Sequence, residues 1–374
     1  MGKIIAIYFP PEEFGLFNLQ FATYLFFFSL LVSPFIQYVK VTTKTLMPKI
    51  GYQNFLYLLV ILIIVFYFFL IIAFNFYFEM HFYLYIILAL MIISNVFYNI
   101  LSDYFNLQNL LVYFSFINII KSLSGLIFIG ALFYLSYQYS EGVLVLWIIQ
   151  IVGFIFGSIF FYHLYRIKFS NVFSISFNKL IKNYAKYAWP LMMLSFWSWI
   201  ISFFDRYVIE YFINIKEVGI YNANYAVGSK FFLLLNPIFL TLLTPKIYTV
   251  CKIIEKKQVI NKYVKLYIVF SIPILITVYF FSDLIGRLLL SKQYESGFYI
   301  IFWIAFAYFF MTLVYLYETI FYAEGKTKII LLSNIYAAVI NILLNVLLIP
   351  IYGLNGAIIA NITSFIIRFI VIKV

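Results

Sequence analysis

Apolar runs of roughly twenty residues recur from one end of the chain to the other, separated by short polar connectors. The runs are continuous and lack strict alternation, so they read as helices and not as strands. Each is long enough to cross a hydrocarbon core of about 30 Å. The expected spans lie near 15–38, 53–74, 82–102, 109–136, 142–165, 188–212, 217–245, 264–290, 297–322, 328–350 and 355–374, eleven in all. Lipid leaves two architectures open, the helix bundle and the closed barrel, and this pattern selects the bundle. Met1 to Phe9 differs: as a helix it is only about 13 Å long. It reads as the outer end of a first helix whose start is missing. It lacks the long apolar core and small-residue cleavage site of a signal peptide.

Composition agrees. Hydrophobic residues are 66% of 374, charged residues 10%, and the mean hydropathy is +1.05. A soluble domain is about half apolar and a quarter charged, so no soluble catalytic domain fits. One cysteine, Cys251, excludes an intrachain disulfide and a multi-cysteine metal site. His81 and His163 stand alone, and no metal or cofactor is expected.

The net charge of +12 does not point to nucleic acid, because the cations sit between apolar runs and form no single face. One set of alternate connectors carries Lys40, Lys44 and Lys49, then Arg166, Lys168, Lys179, Lys182 and Lys186. It continues with Lys246, Lys252, Lys256, Lys257, Lys262 and Lys265, and ends with Lys326 and Lys328. The other set is poor in lysine and holds Glu12, Glu13, Glu79, Glu141, Glu217 and Glu295. The first set is expected on the cytoplasmic side. The longer basic connectors, 166–187 and 246–265, read as short amphipathic helices lying on anionic lipid.

The chain repeats itself. Glu13-Phe14-Gly15-Leu16-Phe17-Asn18 matches Glu217-Val218-Gly219-Ile220-Tyr221-Asn222, and each copy opens a long run that later contains a proline, Pro34 or Pro237. Copies entering from the same side predict two parallel halves related by an axis along the membrane normal. The expected organisation is an N-terminal lobe over 1–165, a basic cytoplasmic linker over 166–187 and a C-terminal lobe over 188–374.

Several stretches resemble the polysaccharide-export flippases, relatives of the lipid II flippase and the multidrug and toxin extrusion antiporters. They are Phe9-Pro10-Pro11-Glu12-Glu13-Phe14-Gly15, Lys186-Tyr187-Ala188-Trp189-Pro190-Leu191, and Asp205-Arg206-Tyr207 ahead of Glu217-Val218-Gly219. Gly325-Lys326-Thr327-Lys328, Asn334, Asn341, Asn345, Leu348-Ile349-Pro350 and Gly356-Ala357 complete the set. The resemblance implies two pseudo-symmetric six-helix lobes around a central cavity, helix one being truncated here. It implies a cargo of polyprenyl-diphosphate-linked oligosaccharide, carried to the periplasmic leaflet of a bacterial inner membrane for surface polysaccharide (O-antigen, capsule or exopolysaccharide) synthesis. Glycosyltransferases and a polysaccharide polymerase would be its partners.

Charges within spans are costly and single themselves out. Lys121 and Lys230 lie near mid-depth in different halves and suit a diphosphate. The alternative for both is snorkelling or ion pairing. Arg206 can grip phosphate, but it and Asp205 are adjacent and point to different faces, so each is expected to find a partner elsewhere. A structural role in closing the lobe is favoured for the two over contact with cargo, and Glu210, one turn beyond Arg206, is a candidate partner. Glu318 reads either as a coupling proton site or as the partner of a nearby lysine. Asp283 and Arg287 read as an interfacial pair. Asn334, Asn341 and Asn345 form one polar stripe facing the bundle. There is no phosphate-cradling glycine loop, zinc motif or nucleophile elbow, so the chain is not expected to be an enzyme. Three alternatives remain: a cation-coupled drug antiporter, which calls for buried carboxylates; a membrane glycan polymerase or ligase, which calls for a large outer loop; and a non-transporting scaffold.

Overall fold

A computed structural model describes residues 2–42, 52–79, 81–134, 142–164 and 177–373. Among them there are helices and no strands. In chain order the helices are α1 (Gly2–Tyr8), α2 (Pro11–Phe27), α3 (Ser33–Thr42), α4 (Tyr52–Tyr77) and α5 (Phe82–Leu107). They continue with α6 (Leu111–Tyr134), α7 (Gly142–Leu164), α8 (Phe177–Phe212), α9 (Ile215–Thr249) and α10 (Ile253–Leu289). The last are α11 (Phe298–Ala323), α12 (Thr327–Tyr352) and α13 (Leu354–Lys373). Ten helical stretches are long and apolar enough to cross a membrane. The expected eleventh, α7, is 23 residues of apolar helix whose side chains are described as far as Ser158. The protein is a multi-pass membrane protein.

Two basic connectors differ from expectation. Residues 253–265 do not form a separate surface helix; they are the first turns of α10, which continues from them into the span and kinks only at Phe281, near its far end. No glycine or proline interrupts 253–264, so the helix has no reason to stop at the membrane boundary. Residues 177–187 likewise begin α8, while Arg166 and Lys168 lie outside the described residues, as do Lys44, Lys49 and Glu141.

The helices form two compact units, residues 19–196 and residues 2–18 with 197–374, and the chain passes between them twice, within α2 and within α8. In the first, Phe35 and Tyr38 of α3, Phe55 and Leu58 of α4, and Leu180, Tyr184 and Ala188 of α8 make one buried cluster. Elsewhere in this unit buried polar groups pair across helices: Trp147 Nε1 donates to Gln20 Oε1 at 2.9 Å, and Asn95 Nδ2 to the Tyr24 hydroxyl at 2.8 Å. Lys40 pairs with Asp103 at 2.8 Å, tying two connectors of the expected cytoplasmic side.

Between α2 and α3 the helix widens into a π turn over Phe28–Val32. Pro34, just beyond, has no N–H to continue the ladder, and the Tyr184 hydroxyl donates to the Leu31 carbonyl inside the turn at 3.2 Å.

In the second unit α11 packs against α9, α10 and α13, and α13 against α12. Both repeat motifs turn out to be helix starts. Asn214 caps α9, its Oδ1 accepting from the Glu217 N–H at 2.9 Å, with the acidic Glu217 in the first turn. Pro11 takes the first position of α2 with Glu12 and Glu13 behind it. Acidic side chains favour the positive end of a helix, and proline suits its first position.

The two starts meet. A Cβ on Gly15 would overlap the Ile215 carbonyl oxygen, and one on Gly219 would overlap the Pro11 carbonyl. Pro11 stands to Gly15 as Ile215 stands to Gly219, so the contact is isologous, each copy offering the other the same surface. Both motifs therefore lie at one end of their helices, on one side, as parallel repeats require.

The short α1 docks nearby on the end of α10. Lys3 Nζ donates to the carbonyls of Arg287 and Leu290, Ser291 Oγ donates to the Ala6 carbonyl, and the buried Tyr294 hydroxyl donates to the Phe9 carbonyl at 3.0 Å. These bonds satisfy carbonyls that a helix terminus leaves open.

Candidate functional site

A connected polar cluster runs through the second unit. Asp205 of α8 is 1% exposed. Its Oδ2 accepts from the Tyr221 hydroxyl at 2.6 Å and from Asn361 Nδ2 at 2.9 Å, and its Oδ1 from the Arg206 N–H at 2.9 Å. Asn361 Nδ2 also reaches the Tyr221 oxygen at 2.8 Å. The cluster extends to Asn341, whose Nδ2 faces Asn361 Oδ1 at 3.4 Å and Ser364 Oγ at 3.2 Å, and on to Asn345 at 2.9 Å. Four helices, α8, α9, α12 and α13, are thereby joined. The expected stripe of Asn341 and Asn345 is part of this cluster, and Asn334 is buried on the same helix. Tyr221 shows in the sequence only as the aromatic of the repeat and Asn361 not at all, since their common partner Asp205 lies 16 and 156 positions away.

Arg206 finds its own partners, as its separate face predicts. Nε donates to Asn222 Oδ1 at 2.8 Å, Nη1 to the Ser202 carbonyl, and the guanidinium lies 4.6 Å from the Phe203 ring centre. Its Nη1 also comes within 3.7 Å of Asp205 Oδ1. These bonds go to Asn222 and Ser202, and Glu210 lies half-buried one turn further on. Donors surround Asp205, the environment that an ionised carboxylate needs in a dry interior. Asp205→Asn is expected to destabilise by roughly 1–3 kcal/mol, because one amide oxygen replaces two acceptor oxygens and leaves a buried donor unpaired. The Tm of the purified protein in detergent measures it, and an unchanged Tm would show that the cluster tolerates the loss.

Glu318 pairs with an arginine, not with a lysine. Arg368 Nη2 donates to its Oε1 at 2.8 Å, and both side chains are about 5% exposed or less. Arg368 of α13 is a residue the sequence reading passed over, although a cation inside the last apolar run was signal enough. Arg287 takes Glu295 as its partner at 3.0 Å, not Asp283, because the short helical turn over Lys292–Gly297 folds Glu295 back onto the helix end.

Lys121 of α6 is half-buried, with Nζ 4.1 Å from the Phe154 ring centre and 4.6 Å from that of Tyr98. Two glycines of α7 make room for it. A Cβ at Gly153 would come within 3.1 Å of the Lys121 carbonyl, and one at Gly157 within 3.4 Å of the Lys121 Cβ. Lys230 lies midway along α9, exposed. Neither lysine forms an ion pair with a described carboxylate. They fall in different compact units. Among the described residues no group of three or more His, Cys, Asp or Glu converges as a metal site would require.

These features define a multi-pass helical membrane protein with charged and polar groups held inside its bundles. The family model described as "Polysaccharide biosynthesis protein" matches residues 3–250, and that described as "MatE" matches residues 255–347. The chain belongs to the polysaccharide biosynthesis protein family. Among solved structures it is similar to an inward-facing multidrug resistance MATE family transporter of the MOP superfamily. The TM-score is 0.74 at 14% identity, over 99% of this chain and 92% of that one. The lipid II flippase MurJ, in an inward closed conformation, gives 0.72 at 19% identity over 99% and 83%. The eukaryotic MATE transporter AtDTX14 gives 0.52 at 13% over 100% and 86%. The fold is thus that of MOP superfamily transporters and flippases. No curated protein matches the sequence.

Proposed function

We propose that the protein is a flippase that carries polyprenyl-diphosphate-linked oligosaccharide from the cytoplasmic to the periplasmic leaflet of a bacterial inner membrane, for surface polysaccharide synthesis. The observation that carries this reading is a pair of mid-span lysines, Lys121 and Lys230, without a carboxylate partner among the described residues. A diphosphate is dianionic or more, and an ammonium in a low-dielectric setting is a strong point-charge ligand for it. Membership of a polysaccharide biosynthesis family supports the glycan half of the cargo. Glycosyltransferases would build the cargo beforehand and a polymerase would consume it afterwards. With no nucleotide-binding loop in the sequence, an ion gradient, the membrane potential or the cargo gradient would drive transport.

The second reading, a drug antiporter, is favoured by the similarity to a multidrug MATE transporter. A cationic drug calls for unpaired buried carboxylates. Among the described residues the buried ones are Asp205 and Glu318, and each is already held, by Tyr221 and Asn361 or by Arg368. Proteoliposomes separate the two readings. A fluorescent polyprenyl-diphosphate oligosaccharide is expected to become accessible from the opposite leaflet when the protein is present, while a cationic dye is not accumulated against an imposed sodium or proton gradient. Dye accumulation without lipid translocation would reverse the assignment.

A further inference from the structure

A cavity of about 320 Å³ opens in the second unit where the start of α10, the end of α11 and the end of α13 come together. Its walls are apolar: Ile260, Ile320 and Ile372 are buried, and Phe321 lies half-buried beside them. Its rim is not. Lys257 and Lys373, both exposed, stand at the opening with Asn261 and the Tyr317 hydroxyl, which are 3.5 Å apart.

The charge pattern around this rim is selective. Lys256, next in sequence, is neutralised by Glu324, whose carboxyl it holds below the usual carboxylate range by hydrogen bond and charge. Lys252 pairs with Glu255. Lys257 and Lys373 have no such partner among the described carboxylates, and they are the two cations that flank an apolar hollow. The hollow lies at the lysine-rich start of α10, the end of that span which the connector charges assign to the cytoplasmic side, where lipid headgroups are expected. A cation pair over an apolar floor, at that depth, suits a molecule with an anionic head and a hydrocarbon tail.

We propose that this cavity binds an anionic glycerophospholipid of the cytoplasmic leaflet. Its phosphate sits between Lys257 and Lys373, Asn261 and Tyr317 hydrogen-bond the head and glycerol oxygens, and the first acyl carbons lie on Ile260, Ile320 and Ile372. The volume is within the range of ligand pockets and holds a headgroup with the start of one chain, the rest of the lipid remaining in the bilayer. The site is independent of the cargo: it would exist in a drug antiporter as well as in a flippase.

Native mass spectrometry of the full chain, released from nanodiscs of phosphatidylglycerol and phosphatidylcholine, tests this. The wild-type protein is expected to retain one phosphatidylglycerol under conditions that strip phosphatidylcholine. The variant Lys257→Gln/Lys373→Gln is expected to retain it roughly 10-fold to 30-fold more weakly, from the usual contribution of two lysines near an anionic surface. Lys257→Arg/Lys373→Arg is expected to keep it. A control of equal charge loss, Lys252→Gln/Lys262→Gln, is expected to behave as wild type. Retention of phosphatidylcholine to the same degree, or an equal loss in the control pair, would overturn the site. Displacement of the lipid by excess inorganic phosphate would also overturn it, because the apolar floor would then contribute nothing.

Discussion

Surface polysaccharide is expected to disappear when either Lys121 or Lys230 is replaced by alanine at native expression, with membrane insertion unaffected. The argument rests on depth and cost. A lysine at the centre of a span costs about 3 kcal/mol even on lenient insertion scales, and α9 places Lys230 about 22 Å from its start at Ile215. Glu318 had been a possible counter-charge for one of them, and its pairing with Arg368 removes it. Lys121 is held by aromatic faces, which stabilise a cation by about 0.5–2 kcal/mol and do not neutralise it. Neither charge is neutralised by a described carboxylate. Lys→Arg at either position is expected to keep part of the activity, since the charge persists while the donor geometry changes. Export is read by staining or by compositional analysis of the cell surface, with protein level from a tag blot. Full export by an alanine variant would remove that lysine from the cargo path.

Loss of folded protein is expected from Gly219→Leu, and likewise from Gly15→Leu. The new side chain would meet backbone, not another flexible side chain: Pro11 on one side of the contact, Ile215 on the other. Backbone cannot turn aside, so the helix starts must separate. Overpacking costs about 1–3 kcal/mol in ordinary cores and more where nothing yields, against a total stability of about 5–15 kcal/mol. Gly15→Ala and Gly219→Ala are the milder forms, expected to lower the Tm measurably. Because the contact is reciprocal, the first alanine already opens the gap that the second needs. The double alanine variant should therefore lose less than the two single losses together. Strict additivity would mean that the glycines act separately and that the contact does not form.

Much of the architecture is readable in the sequence, and the reasons mark where reading stops. Continuous apolar runs have no other stable arrangement in lipid, so the spans follow from composition and spacing. The Glu-x-Gly motif is visible as a repeat, and its glycines announce a close approach. What they approach is invisible, because Pro11 and Ile215 are 204 positions apart. The Asp205 cluster fails for the same reason: each member looks like an ordinary polar residue until Tyr221 and Asn361 arrive from other helices. Lys252 to Lys265 misled differently. Clustered charge resembles a surface helix, and only the absence of a breaker shows that the same residues begin a membrane helix. Arg368 was legible and was overlooked; a cation fourteen residues into α13 carries the same meaning as Lys121.

The π turn over Phe28–Val32 records how the two copies have diverged. Pro34 follows Gly15 by 19 positions, whereas Pro237 follows Gly219 by 18. One copy carries one residue more. Threaded into a regular α-helix, an extra residue would swing everything below it by about 100°, turning buried faces toward lipid. A turn closed from i to i+5 accommodates one more residue locally, and the helix resumes at Ser33 with Phe35 and Tyr38 still directed into their cluster. Spans of this kind can therefore lengthen by single residues without disturbing what packs beneath them, and an alignment of the two halves needs its gap at this turn and nowhere earlier in the helix.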